Sequence, residues 1–115
     1  MKIIVLIVIC TIMFAAGQIC WKLGLQQHGF SLTPGGLRAL AGSFPIWVGF
    51  IIFGIATVLW FQVLSKVELS YAYPLVSLSY VFGLIGAKFL FGEAVTPARW
   101  IGVLLICLGV VFVAK

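Results

Sequence analysis

Four long apolar runs, separated by short connections, constrain this 115-residue chain more than any other feature of its sequence. They cover Ile3–Leu25, Ile46–Leu64, Ser70–Phe91 and Ala98–Ala114. Each run approaches the about 20 apolar residues that a helix needs to cross the hydrocarbon core of a bilayer. Backbone polar groups in hydrocarbon must be satisfied within their own segment, so the runs are predicted to be helices. We therefore expect residues 1–115 to form a single all-α membrane domain with four transmembrane helices.

The composition excludes an ordinary soluble domain and a nucleic-acid-binding protein. Hydrophobic residues make up 64% of the chain and charged residues only 8%, whereas soluble domains carry about 25% charged residues. The net charge is +5, but the seven basic residues are scattered singly and form no cluster that could follow a phosphate backbone. The sequence therefore predicts a membrane partner and no nucleic acid.

No arrangement of residues in the sequence is typical of an enzyme. The two acidic residues, Glu68 and Glu93, both lie at connections between runs, away from the middle of the bilayer. There is no nucleophile–base pair and no phosphate-binding loop. Cys10, Cys20 and Cys107 stand singly inside apolar runs and lack the spacing of metal ligands, so they are interpreted as small hydrophobic residues. We expect no catalytic residue, no metal and no cofactor.

Polar side chains recur at helical spacing in the first and third runs. Thr11, Gln18 and Lys22 follow one another at intervals of seven and four, which places them on one helix face. In the third run Tyr73, Ser77 and Tyr80 follow at four and three. Such hydroxyls either form hydrogen bonds between helices, worth about 1 kcal/mol or less each, or line a path for a polar substrate. Both interpretations remain open from the sequence.

Lys22 and Lys88 are predicted to reach the same membrane face. The first and third helices run in the same direction, and each lysine lies about 26–29 Å along its helix at about 1.5 Å per residue. Arg38 and Arg99 fall near the same face. The lysines either extend toward lipid headgroups or form a basic cup for an anionic headgroup such as a phosphate.

Glycine and proline positions add two expectations. Gly102 and Gly109 lie seven residues apart on one face of the fourth helix, and small residues let helix backbones approach closely. This face is a predicted dimer seam. Pro74 and Pro97 are expected in or near the first turn of their helices, where a missing N–H has no cost.

The basic residues do not decide how the four helices are oriented in the membrane. Three lie on the side of the termini and four on the other side, which is close to a tie: Lys2, Lys66 and Lys115 against Lys22, Arg38, Lys88 and Arg99. The chain could therefore insert in both directions and pair as an antiparallel dimer, or depend on a partner for its orientation.

The sequence resembles the drug/metabolite transporter superfamily. The fourth helix, with Gly102 and Gly109, resembles the small multidrug resistance branch, but the drug exporters of that branch carry a glutamate in the first helix. This chain has Gln18 there and no acid. Residues 16–22 (AGQICWK), 72–81 (AYPLVSLSYV) and 88–100 (KFLFGEAVTPARW) are more similar to the E-type subunits of the aminoarabinose-phosphoundecaprenol flippases. The motif at residues 79–81 (SYV) also resembles the F-type partner subunits.

This resemblance implies a small multidrug resistance-like bundle that functions as a dimer in the bacterial inner membrane. It implies movement of a polyprenyl-phosphate sugar lipid, undecaprenyl phosphate carrying aminoarabinose or a similar monosaccharide, from the cytoplasmic to the periplasmic leaflet. Such lipids serve lipid A modification and polymyxin resistance. The mixed E and F character leaves both a homodimer and a heterodimer with a similar four-helix subunit open. The residues matching the polar motif of the family are Gln18, Lys22, Lys88, Glu93 and Arg99.

The leading hypothesis is thus a flippase subunit whose predicted sites fall into three groups. The phosphate ligands are Lys22, Lys88 and Arg99, the substrate path is Gln18, Tyr73, Ser77, Tyr80 and Glu93, and the dimer seam is Gly102 and Gly109. Two alternatives remain. A small multidrug-type cation/proton antiporter would need a titratable acid in its path, and an accessory subunit of a membrane glycosyltransferase would need no transport path at all.

Overall fold

The computed structural model describes residues 2–115, which form six helices, five of which make up four membrane-length spans. The helices are α1 (Lys2–His28), α2 (Pro34–Ala41), α3 (Phe44–Leu64), α4 (Leu69–Val76), α5 (Ser79–Leu90) and α6 (Pro97–Ala114). Together α4 and α5 make the third span, Leu69–Leu90. The predicted all-α fold with four transmembrane helices is confirmed, and dimerisation stays a prediction. The expected domain of residues 1–115 also includes Met1, which lies outside the described residues.

Two helix starts are fixed by threonine caps followed by proline. The Thr33 hydroxyl accepts a hydrogen bond from the Gly36 N–H at 3.1 Å at the start of α2. In the same way Thr96 accepts from the Arg99 N–H at 3.3 Å at the start of α6. Proline is the first residue of both helices, where its missing N–H has no partner to lose. The expectation for Pro97 is confirmed.

The third span is broken at Ser77 and Leu78, and the expectation for Pro74 was wrong. Pro74 lies inside α4, well beyond its first turn, because that helix already begins at Leu69. A proline in a helix interior removes one backbone hydrogen bond and crowds the carbonyl four residues before it. The next turn is tighter than an α-helix: the Ser77 N–H donates to the Pro74 carbonyl at 3.1 Å. The Leu78 N–H donates to the Leu75 carbonyl at 3.2 Å.

Helix α1 lies at the centre of the fold and packs most extensively against α3. The two backbones approach closely where Gly17 faces Gly49: a Cβ atom added at Gly49 would lie 2.9 Å from the Gly17 carbonyl oxygen. Trp21 fills the space beside this crossing, with its ring 4.9 Å from Phe53 and 5.1 Å from Phe50 between centroids. The α1–α3 pair therefore forms a close-packed unit that fixes which face of α1 points the other way.

The buried core is small and lies at the membrane face that carries the two termini. It joins the start of α1, the end of α3, the start of the third span and the end of α6 through five side chains: Ile7, Val63, Ala72, Leu75 and Val110. At this end α4 packs against α6. Beyond the break in the third span, α5 packs against α1 and has little contact with α6. The bundle is therefore closed at the terminal face and open between α5 and α6 toward the other face.

Most of the apolar surface of the spans faces outward. Only 6% of the apolar window of α6 is buried in the chain, and the other spans are buried by 11–28%. In a bilayer such surfaces contact lipid tails or another helix. These four helices belong to a multi-pass membrane protein.

Candidate substrate cavity

The opening between α1, α5 and α6 forms a cavity of ≈ 990 Å³. Most of its wall is apolar, with Phe14 from α1, Leu84 from α5 and Ile106 from α6 among the lining residues. The charged side chains lie at its mouth, whereas Ser79 and Tyr80 lie deeper, where α5 begins. The polar and charged lining residues define the candidate site: Gln18, Lys22, Gln26, Ser79, Tyr80, Glu93 and Arg99. The arrangement is suited to a molecule with a polar head and an apolar body.

Helix α1 contributes a polar stripe to the cavity. Gln18, Lys22 and Gln26 follow at intervals of four, and all three line the cavity. Gly17, which contacts α3, lies on a different face of α1. Thr11 was predicted to share the face, but it is buried and its hydroxyl donates to the Val8 carbonyl of its own helix at 2.7 Å. Gln26 was not predicted as part of the stripe, although it follows Lys22 by the same interval of four residues.

Lys22 and Glu93 form an ion pair at the cavity mouth. It joins α1 to the connection between α5 and α6, and the side chains are 47% and 35% exposed, respectively. The Lys22 ammonium also lies 5.1 Å from the centroid of the Phe91 ring, within the range of a cation–π contact. The two predicted site residues Lys22 and Glu93, 71 positions apart in the sequence, are thus brought into direct contact.

Glu93 reaches this position because the chain reverses at Gly92. Gly92 has a φ of 64°, a left-handed conformation that glycine adopts without steric cost. The reversal lets the Glu93 N–H donate to the Ala87 carbonyl at 3.1 Å. The carboxylate is therefore anchored through its own backbone to the end of α5.

Arg99 adds a second cation to the cavity wall. It lies in the first turn of α6, and its Nη1 donates to the Ala94 carbonyl at 3.4 Å. The outer end of the cavity thus holds two cations and one carboxylate, with a formal charge of +1. Among residues 2–115 no group of three or more His, Cys, Asp or Glu side chains could hold a metal ion.

The predicted polar stripe of the third span is divided by the break in that span. Tyr80 lines the cavity together with Ser79. The Ser77 hydroxyl donates a hydrogen bond to the Pro74 carbonyl, and Tyr73 is exposed on α4. Neither residue is part of the cavity wall. Ser79 was not predicted as a site residue, because in a continuous helix it would lie on a different face from Tyr73, Ser77 and Tyr80.

Lys88 is not brought together with Lys22. Its ammonium lies 5.2 Å from the centroid of the Trp100 ring and 5.7 Å from that of Phe89. The side chain is exposed and is not part of the cavity wall. A cation between aromatic rings near a span end is typical of a residue at the headgroup level. A phosphate contact from Lys88 stays a prediction.

The two glycines of the predicted dimer seam lie in different surroundings. Gly102 is part of the cavity wall, and Gly109 is exposed nearer the end of α6. A Cβ atom added at either would meet nothing within 4 Å, so neither is required for packing inside the chain. The dimer seam also stays a prediction.

Known proteins are similar to this chain over almost its full length. Residues 37–115 match the EamA-like transporter family. Two relatives, from Salmonella newport (strain SL254) and Salmonella typhimurium (strain LT2), are each named "Probable 4-amino-4-deoxy-L-arabinose-phosphoundecaprenol flippase subunit ArnE". Each is 33% identical over 113 residues, which cover 96% of this chain and 96% of the relative. A protein of the same name from Salmonella typhi is 32% identical over the same length. No solved structure matches this chain.

The family match and the relatives agree with the four membrane-length helices and with the resemblance found in the sequence. They confirm that resemblance, and they indicate a multi-pass inner-membrane protein. The match covers α3 to α6 and most of α2, and so includes two of the three helices around the cavity. This chain is a member of the EamA-like transporter family.

Proposed function

We propose that the chain is a flippase subunit that translocates a monosaccharide linked to undecaprenyl phosphate, aminoarabinose or a similar sugar, for lipid A modification. The observation that carries the proposal is the cavity between α1, α5 and α6, with charged residues at its mouth and mostly apolar walls. The names of the relatives support the same substrate class. A transporter for a free polar solute would not need walls that are mostly apolar.

The phosphate of the lipid binds at the cavity mouth, to Lys22 and Arg99. Both side chains line the cavity, and together they exceed the charge of Glu93 by one. Moving a phosphate through hydrocarbon without partners is strongly unfavourable, because the charge loses its hydration. Two fixed cations at the entrance replace part of that hydration by charge-assisted hydrogen bonds.

The sugar and the polyprenyl tail occupy different parts of the opening. The sugar contacts Gln18 and Tyr80, whose amide and hydroxyl can both donate and accept hydrogen bonds. The tail leaves the cavity sideways between α5 and α6, which have little contact with each other. Because the tail stays in lipid throughout, only the headgroup needs a polar path.

Transport by the purified protein tests this proposal. The protein is reconstituted into vesicles with a fluorescent short-chain polyprenyl-phosphate sugar, and the rate of leaflet exchange is followed by quenching from outside. We expect wild-type protein to accelerate exchange and Lys22→Ala to reduce the rate by about tenfold or more, the effect of losing a charge-assisted contact.

Lys66→Ala is the matched control, because Lys66 lies in the connection between α3 and α4 at the opposite face. It should leave the rate unchanged. Equal rates for Lys22→Ala and wild type would overturn the assignment of Lys22. An absence of exchange by every form, in vesicles shown to contain folded protein, would contradict the proposed function.

A cation/proton antiporter remains a second candidate because Glu93 lines the cavity. An acid in the substrate path is what such a mechanism requires. Its ion pair with Lys22 and the nearby Arg99 make the site repulsive to a cationic drug, which favours the flippase. Proton-driven uptake of a quaternary ammonium dye by the reconstituted protein would decide for the antiporter.

A further inference from the structure

A second pocket lies where the end of α1, the helix α2 and the start of α3 meet. It has a volume of ≈ 480 Å³, within the about 300–1,000 Å³ of pockets that bind small molecules. The Trp47 indole N–H donates to the Ala41 carbonyl at the end of α2, so this polar group is already satisfied. The pocket is therefore suited to an apolar chain. Its lining residues are all apolar and half of them are aromatic: Trp21, Phe30, Trp47 and Phe50.

This pocket is separate from the substrate cavity. Trp21 and Leu25 line both, and so form the wall between them. Helices α5 and α6 enclose the cavity, whereas α2 and α3 enclose the pocket. The tail of a lipid bound in the cavity leaves between α5 and α6 and does not reach the pocket. The pocket therefore needs an occupant of its own.

Helix α2 has the features of a helix that lies on the membrane surface. Leu37, Leu40 and Ala41 share one face of it by their spacing. The helix has eight residues, none of them buried in the chain, and a helix this short is marginal in water by itself. An amphipathic helix in the headgroup region instead places its apolar face against acyl chains. The chain around α2 also exposes large apolar side chains that fit this position: Phe30, Leu32 and Phe44.

Arg38 supplies the charge at this corner of the protein. It is exposed beside the apolar face of α2 and is the only residue with a formal charge in the stretch 23–65. Among residues 2–115 neither carboxylate is its partner, because Glu93 pairs with Lys22 and Glu68 precedes α4 at the opposite face. A guanidinium binds a phosphate through two parallel hydrogen bonds, and a basic residue at the membrane surface favours anionic lipids.

We propose that the pocket beneath α2 holds one acyl chain of an anionic phospholipid, whose phosphate binds Arg38. Burial of the chain alone gives no preference over the surrounding bilayer, because lipid tails are as apolar as the pocket wall. Packing against the aromatic rings and the contact with Arg38 retain the lipid. The bound lipid joins α2 to α1 and α3, and it supports the wall that Trp21 and Leu25 form beside the cavity.

Native mass spectrometry of the full chain, titrated with phosphatidylglycerol in detergent, tests the proposal. Ala41→Phe places a ring in the pocket, whereas Ala39→Phe places the same ring on the same helix outside the pocket wall. We expect Ala41→Phe to retain one phosphatidylglycerol fewer per chain than Ala39→Phe and wild type. Arg38→Gln should lower the preference for phosphatidylglycerol over phosphatidylethanolamine with the same acyl chains by about fivefold, the effect of one basic residue at an anionic surface.

Equal numbers of bound phosphatidylglycerol in Ala41→Phe and Ala39→Phe would overturn the pocket as a lipid site. An unchanged preference in Arg38→Gln would overturn the headgroup contact, and this result does not depend on whether Ala41→Phe folds. A short-chain polyprenyl phosphate, titrated in the same way, should bind Ala41→Phe as it binds wild type. If Ala41→Phe lost the polyprenyl phosphate and kept its phosphatidylglycerol, the pocket would belong to the tail of the transported lipid instead.

Discussion

Replacing Gly49 with alanine tests the close crossing of α1 and α3, which directs the polar stripe of α1 into the cavity. The added Cβ atom would lie 2.5 Å from Cδ1 of Trp21 and 2.9 Å from the Gly17 carbonyl oxygen. Both distances are well below the about 3.5–4.0 Å of a favourable contact between heavy atoms. Trp21 cannot simply turn away, because its ring packs against Phe50 and Phe53. The two helices would therefore have to separate.

Separating a well-packed pair in this way costs about 1–3 kcal/mol. Alanine also has a higher helix propensity than glycine, by up to about 1 kcal/mol, and this gain must be removed from the comparison. Gly54→Ala supplies the reference, because Gly54 lies on the same helix and a Cβ there would meet nothing within 4 Å. We expect Gly49→Ala to be less stable than Gly54→Ala by about 1–3 kcal/mol.

The measurement is equilibrium unfolding in mixed micelles with increasing sodium dodecyl sulfate, followed by tryptophan fluorescence. Both variants are compared at the same protein and detergent concentrations, so that association affects them alike. Equal unfolding midpoints for the two variants would refute the close approach of the Gly17 and Gly49 backbones.

Two further predictions concern the third span and its lysine. Pro74→Ala restores an N–H that can donate to the Ser70 carbonyl, so we expect the free energy of unfolding to rise by about 1 kcal/mol or more. We also expect lipid exchange to slow, because α5 would move toward α6. Unchanged exchange would mean that the break in the third span does not hold the cavity open. Lys88→Ala should reduce exchange by less than about threefold, because the Lys88 ammonium contacts Trp100 and Phe89 instead of the cavity. A loss as large as that of Lys22→Ala in the same vesicle assay would show that Lys88 reaches the phosphate.

The spans were predictable because they depend on hydropathy and helix length alone. The predicted first span ended at Leu25, and α1 continues to His28; the predicted fourth span began at Ala98, one residue after Pro97. These differences of one to three residues fall in turns at the membrane surface, where water satisfies the backbone and hydropathy no longer marks the boundary. The family resemblance depended instead on particular residues in the first and third spans and in residues 88–100, which include the connection between α5 and α6.

The arrangement of charges at the cavity was only partly predictable. Gln18 and Lys22 lie in one unbroken helix, so their spacing of four was enough to place them together. The contact of Lys22 with Glu93 depends instead on a left-handed residue at Gly92, a conformation that glycine permits but its presence in a sequence does not require. Lys88 follows a break in the helix, and the break changes the face on which each later residue lies.

The closed end of the bundle has a consequence for the free energy needed to open it. The side chains of Ile7, Val63, Leu75 and Val110 close the bundle at the terminal face. In water such a cluster would be held together by the hydrophobic effect. In a bilayer it is not, because lipid tails solvate parted leucine and valine side chains as well as these side chains solvate one another. Side-chain packing is therefore what opposes the opening of this end, and separating these helices costs less in a bilayer than it would in water.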